Sequence, residues 1–194
     1  SIGAAMPWAE VAIMDEKGNL RGDNEEGELV VKGPAVMKGY LGGEPAFRNG
    51  YFMTGDIGFF RTIEGVKYYY LKGRKKEIII KGGVNISPVA GENSLKKVSD
   101  EIDQAYVIGA EDKRYGEEVV AVVCWKREVS SAAALRRLKI KLLLGTPALS
   151  SYESPRYLTA LDAAELPVTS TGKVQRSRLK DQVPKEQWSS IYEL

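Results

Sequence analysis

The stretch 73-GRKKEIIIKGGVNISP-88 is where the character of the chain changes. Ile78-Ile79-Ile80 is a short apolar run suited to a strand buried on both faces. Gly82-Gly83 follows, a pair that allows either a tight turn or a close approach of backbone to a ligand. Ser87-Pro88 then opens a helix, with serine as N-cap and proline at the first helical position. Leu95 and Val98 continue an apolar face, although Gly91 inside that helix costs about 1 kcal/mol against alanine. Strand, turn and helix thus succeed one another within a few residues.

Upstream the pattern is different. Val11 to Ile13 reads as a strand, and Asp15 to Asn19 supplies turn chemistry around Gly18. Gly27 to Lys32 reads as a second strand, stopped by Gly33-Pro34. Lys67 to Leu71 holds Tyr68, Tyr69 and Tyr70 and reads as another. Residues 1–72 are therefore expected to be all-β. Downstream, strands are expected over Gln104 to Gly109, Glu118 to Trp125 and Tyr157 to Leu161. Leu135, Leu138 and Leu142, capped by Ser130 or Ser131 and stopped by Gly145 and Pro147, predict a helix. Val174 to Val183 predicts a short polar one. The fold class is α+β, with a β-rich domain over 1–72 and a small mixed α/β domain over 73–194.

The totals exclude several chemistries. The 194 residues are 43% hydrophobic and 28% charged, enough for packed cores. Lys and Arg number 28 against 26 Asp and Glu, so the net charge of +2 points to no polyanionic partner. Histidine is absent, which excludes a Ser-His-Asp triad, a Cys-His dyad and His-based metal sites. The single cysteine, Cys124, excludes an internal disulfide and a cysteine zinc cluster, and within VVAVVCW it reads as a small buried apolar residue. No apolar run approaches the roughly 18 residues of a membrane span. The start has neither a basic leader nor a methionine, so part of a longer, cytoplasmic protein is expected.

Four clusters could carry chemistry, and each has a plain alternative. In 51-YFMTGD-56, Asp56 could accept two hydrogen bonds from a vicinal diol, or simply cap its own turn. In Gly73-Arg74-Lys75-Lys76-Glu77, Arg74 could reach a phosphate or sugar, or belong to a solvated charge run. Gly82-Gly83-Val84-Asn85 could admit a ligand, or be an ordinary turn. In 166-LPVTSTGKVQR-176, Thr169 to Lys173 fails as a phosphate-binding loop. Pro167 stands where the first glycine is needed, and Val174 where Ser or Thr should hold magnesium. What survives there is Lys173 on a flexible tether, a cation deliverable to an anion.

Taken in order, these blocks resemble the carboxyl-terminal portion of the adenylate-forming enzymes of the acyl-CoA synthetase (AMP-binding) superfamily. The resemblance rests on Ser1-Ile2-Gly3 with Met6-Pro7, GELVVKGPAVMKGY (27–40), YFMTGD (51–56), GRKKEIIIKGGVNISP (73–88) and LPVTSTGKVQR (166–176). It implies the end of a β-barrel subdomain over 1–72, then a mobile domain over 73–194. It also implies ATP-dependent activation of a carboxylic acid as an acyl-adenylate, followed by transfer to coenzyme A. Lys173 would be the catalytic lysine, and Asp56 and Arg74 would bind nucleotide. Lys76 would be the hinge, and Gly82, Gly83, Val84 and Asn85 would line the coenzyme A tunnel. Val84 departs from the polar residue common there, and Ala90 from the usual acidic start of the next helix. Magnesium would be held by residues upstream, so no metal ligand is expected in this chain. The upstream domain of the same protein is the expected partner, and the chain alone is expected to be inactive.

Two other readings compete. Tyr68, Tyr69 and Tyr70 beside Lys72, Arg74, Lys75 and Lys76 could form a nucleic-acid-binding barrel, against which stand the balanced charge and the alternation of a strand's side chains. The chain could also be a scaffold with the fold and no chemistry.

Overall fold

The computed structural model describes residues 1–39 and 46–193, divided into two compact units, Ser1–Lys76 and Glu77–Leu194. Tyr40, the last residue of the 27–40 block, lies outside the described residues.

The first unit is an antiparallel sheet built from β1 (Gly3–Ala4), β2 (Glu10–Met14), β3 (Gly27–Lys32), β4 (Phe47–Arg48), β5 (Tyr51–Ile63) and β6 (Val66–Arg74). The order is β1-β6-β5-β3-β2, with β4 also on β5. The end strands β1 and β2 do not pair with each other among the described residues, so the sheet is open rather than a closed barrel. Period-2 alternation gives it two apolar faces. Ile13, Leu29, Phe60 and Tyr69 cluster on one, and Met14, Val30 and Tyr51 on the other. A fully buried side chain of this size stabilises by roughly 2 kcal/mol. Tyr69 is buried and donates its hydroxyl to the Val11 carbonyl at 2.5 Å. Tyr70, on the opposite face, stacks on Phe59 at 5.0 Å between centroids. Two of the three tyrosines are therefore already engaged.

The second unit contains β7 (Ile79–Lys81), β8 (Val84–Ile86), α1 (Pro88–Val98), β9 (Ile102–Asp112), β10 (Gly116–Trp125), α2 (Ser131–Leu143), β11 (Tyr157–Ala160), α3 (Arg176–Gln182) and β12 (Ser189–Ser190). β10 is the central strand. β9 lies antiparallel along one edge, and β7 and β11 share the other, β11 in parallel. Val119, Ala121 and Val123 point into a core with Leu95, Leu138 and Leu142. Val120, Val122 and Cys124 point into a second with Leu166, Leu179 and Val183. A strand buried on both faces needs a continuous apolar run, and VVAVVC supplies it.

The helix expected after Ser87 is present, and Ser87 Oγ accepts from the Ala90 amide at 3.3 Å. The expected burial of Ile78-Ile79-Ile80 on both faces is corrected. Ile79 is 1% exposed, but Ile80 is 54% exposed, because β7 is short and one of its faces is open. The last helix begins at Arg176, two residues later than expected. No helix among the described residues is long and apolar enough to cross a membrane.

Candidate functional site

Asp56 is presented by a break in the ladder. Val30 pairs with Met53 and Glu28 with Ile57, so two steps along β3 match four along β5. Thr54 to Asp56, three residues opposite Leu29 alone, bulge, and bulges re-aim side chains. Gly55 supplies the left-handed backbone, φ 76°. The bulge is held from beneath. Thr54 Oγ1 donates to the Leu29 carbonyl at 2.6 Å and accepts the Asp56 amide at 3.1 Å. Buried Glu28 accepts the Gly55 amide at 2.9 Å and pairs with Lys75 at 3.2 Å. Arg74, opposite Asp56 in the β5–β6 register, places Nε 3.0 Å from Oδ1 and donates Nη1 to the Thr54 carbonyl at 2.9 Å. The result is a carboxylate 24% exposed and a guanidinium 58% exposed, side by side. Glu28 had no local signal in the sequence, being one acidic residue in an apolar strand.

Lys76 is exposed within a single 3-10 turn, Lys75–Glu77. Gly82 and Gly83 form the two-residue turn between β7 and β8, with φ 57° and 82°. Two consecutive positive φ values are what a type I′ hairpin requires. A Cβ at Gly83 would meet nothing within 4 Å, so this tip is open. Val84 and Asn85 beside it are exposed. The Gly82 amide donates to the Tyr115 carbonyl at 2.8 Å. Next to it lies a cleft of about 330 Å³, lined by Lys81, Tyr115, Glu118, Tyr152 and Arg156 among others. Glu118 is buried and ion-paired with Lys81, while Arg156 Nη1 stands 3.9 Å from it. Two cations thus share one carboxylate.

The Lys173 segment differs from expectation, since it is not a loose tether. Val168 and Val174 form an antiparallel bridge. The Gly172 amide donates to the Thr169 carbonyl at 2.9 Å, and the Thr169 amide to the Lys173 carbonyl at 2.8 Å. Thr169 Oγ1 accepts the Lys173 amide at 3.1 Å and lies 2.9 Å from Thr171 Oγ1. Gly172 takes φ 78°. This is a closed hairpin turn with a glycine bulge, and the hydroxyls lock it. Leu166 and Val174 pack its base into the second core. The Lys173 side chain is exposed and meets no acceptor among the described residues.

Three residues on, Arg176 reaches inward. It binds Glu92 through Nε at 3.2 Å and Nη2 at 2.8 Å to each oxygen, and Glu77 through Nη1 at 2.6 Å. Glu92, 9% exposed, also accepts the Val107 amide at 3.0 Å. Burial pushes the Glu92 carboxyl above the usual range, while Arg176 and the Val107 amide act against that rise. Burial likewise pushes the Cys124 thiol up to about 11. No group of three or more His, Cys, Asp or Glu side chains suited to a metal occurs among the described residues.

Known proteins resemble this chain in sequence and in fold. The profile of the AMP-binding enzyme family matches residues 1–41. Oxalate–CoA ligase of Arabidopsis thaliana is 37% identical over 171 residues, covering 86% of this chain and 31% of that protein. Indoleacetate–CoA ligase of Aromatoleum aromaticum is 34% identical over 192 residues, covering 96% and 35%. Among solved structures, o-succinylbenzoate coenzyme A synthetase from Bacillus subtilis, in complex with its acyl-adenylate intermediate, superposes with TM-score 0.74 at 33% identity over 93% of this chain and 36% of that one. ATP-bound MatB from Rhodopseudomonas palustris gives 0.77 at 28% identity over 95% and 36%. The nucleic-acid alternative is not favoured by any of these. The chain spans about a third of the length of the curated relatives it matches, and it belongs to the AMP-binding family of adenylate-forming enzymes, matching their carboxyl-terminal portion.

Proposed function

We propose that this chain is the nucleotide-holding and lysine-bearing part of an ATP-dependent, AMP-forming acyl-CoA synthetase. The observation that carries the reading is the Lys173 hairpin. An ammonium that meets no acceptor among the described residues stands exposed on a hydrogen-bonded hairpin turn.

The chemistry follows from charge. A substrate carboxylate attacks the α-phosphorus of ATP, an acyl oxygen–phosphorus bond forms, and the bond to pyrophosphate breaks. Negative charge gathers on the non-bridging oxygens. An ammonium held there stabilises that charge more than it stabilises the ground state. Removing one such donor costs about 3 kcal/mol, roughly a hundredfold in rate. Asp56 accepts from the ribose hydroxyls, and Arg74 releases its carboxylate partner to serve the sugar or its phosphate. Magnesium would share the charge when bound. Its ligands are expected upstream of this chain, as the family resemblance implies.

Acyl transfer follows, from phosphate to the sulfur of coenzyme A, with AMP leaving. The open Gly82-Gly83 turn gives the thiol arm room, and the adjoining cationic cleft suits the phosphates of such an acceptor. Lys173 serves only the first step, so it must be withdrawn for the second. Because its hairpin is locked, the lysine travels with the whole second unit, and the backbone turns at Lys76.

The full-length synthetase tests this directly. Lys173→Ala should slow acid-dependent ATP–pyrophosphate exchange roughly a hundredfold and spare thioester formation from supplied acyl-adenylate. Equal loss of both steps overturns the assignment. The purified 194 residues should show no exchange by themselves.

A further inference from the structure

We propose that Arg176 is a positioning residue, which registers the Lys173 hairpin against Glu77 at the start of the second unit. The proposal rests on the reading of Lys173 given above and deepens it.

Arg176 opens α3 three residues after Lys173, and the Gln175 amide between them donates to the Pro167 carbonyl at 2.7 Å. The lysine and the arginine therefore sit on one stiff segment. The guanidinium then grips two distant points. One is Glu92 on α1, through three hydrogen bonds. The other is Glu77, through one at 2.6 Å. Glu77 is the residue directly after Lys76 and closes the Lys75–Glu77 turn. A planar fork bonded to two carboxylates fixes direction as well as distance, which a lysine at the same place cannot do.

Stability alone does not account for the cluster. Two carboxylates and one guanidinium, largely out of water, roughly break even with apolar packing of the same volume. Leu166, Leu179 and Val183 already anchor this region by burial. What the cluster adds is geometry: the position of Lys173 becomes a fixed offset from the pivot. An error near 1 Å in placing a catalytic group can cost on the order of a hundredfold.

The test uses the full-length synthetase with Arg176→Lys and Glu77→Gln, and Lys173→Ala as reference. Adenylation is read by ATP–pyrophosphate exchange, transfer by thioester formation from supplied adenylate, and folding by the melting temperature. Arg176→Lys should slow adenylation on the order of a hundredfold, and Glu77→Gln roughly tenfold. The KM for ATP and the transfer rate should stay within about twofold, a split that general loss of structure does not produce. Glu77→Gln should melt as the parent does, because Glu92 keeps its arginine, so this variant decides if Arg176→Lys fails to fold. Unchanged adenylation in Glu77→Gln, or both steps falling together with the melting temperature, overturns the positioning role and leaves the Lys173 assignment standing. Unchanged adenylation in Lys173→Ala overturns both.

Discussion

Asp56 and Arg74 face each other across the β5–β6 ladder, and the arginine Nε lies 3.0 Å from the aspartate Oδ1. The guanidinium is more than half exposed, so the pair is worth less than about 1 kcal/mol to folding. Its use lies in what it can trade for. Arg74→Ala should leave urea denaturation within about 1 kcal/mol of the parent. In the full-length enzyme it should weaken AMP binding, measured calorimetrically, by roughly tenfold, the loss of one charge-assisted hydrogen bond. A large stability loss with unchanged AMP affinity would mean the pair is structural.

Gly172 holds φ 78° where a Cβ would meet no neighbour within 4 Å. Any cost of Gly172→Ala is therefore backbone strain and not collision. Denaturant titration of the chain should show a loss of about 1 kcal/mol. In the full-length enzyme adenylation should slow while transfer from supplied adenylate does not.

Cys124 is 1% exposed, and burial holds its thiol near 11, well above an ordinary cysteine. The thiolate is the reactive form. At pH 8 the folded chain should resist a disulfide reagent for as long as it stays folded, and react with one equivalent when unfolded in urea. Rapid labelling of the native chain would show that β10 opens locally.

Glu92 gives a pH signature. Burial raises its carboxyl in the folded state, so the native chain takes up a proton more readily than the unfolded one. Over the window between the ordinary carboxylate value and the raised one, this group makes stability rise as pH falls. Asp15, Glu101 and Asp112 have lowered carboxyls and act in the opposite sense. The difference in melting temperature between the parent and Glu92→Gln should therefore change with pH across that window and flatten above it. A flat difference throughout would remove the burial argument.

Sequence reading succeeded where one local pattern carries the information. The VVAVVC run announces a strand, Ser87-Pro88 announces a helix start, and paired glycines announce a turn. It failed at Ile78-Ile79-Ile80, because three apolar residues have no readable period, and pairing left Ile80 facing outward. The segment around Lys173 reads as a flexible tether, yet it folds as a hairpin. Its signal was present: hydroxyl residues and a glycine between Val168 and Val174 are turn chemistry between bridge partners. The Thr54–Asp56 bulge and the Arg176 cluster left no such trace, because each depends on partners brought from far along the chain.

That distance has a consequence for biosynthesis. Arg176 lies 84 positions from Glu92 and 99 from Glu77. Contacts of such separation form late, after the entropy of closing a long loop has been overcome. A nascent chain on the ribosome can complete the first sheet and most of the second before the arginine emerges, so the lysine is set in register only after that point. Until then both carboxylates wait without their counter-ion, and a polypeptide halted shortly before Arg176 would fold most of its framework while lacking the means to aim its reagent.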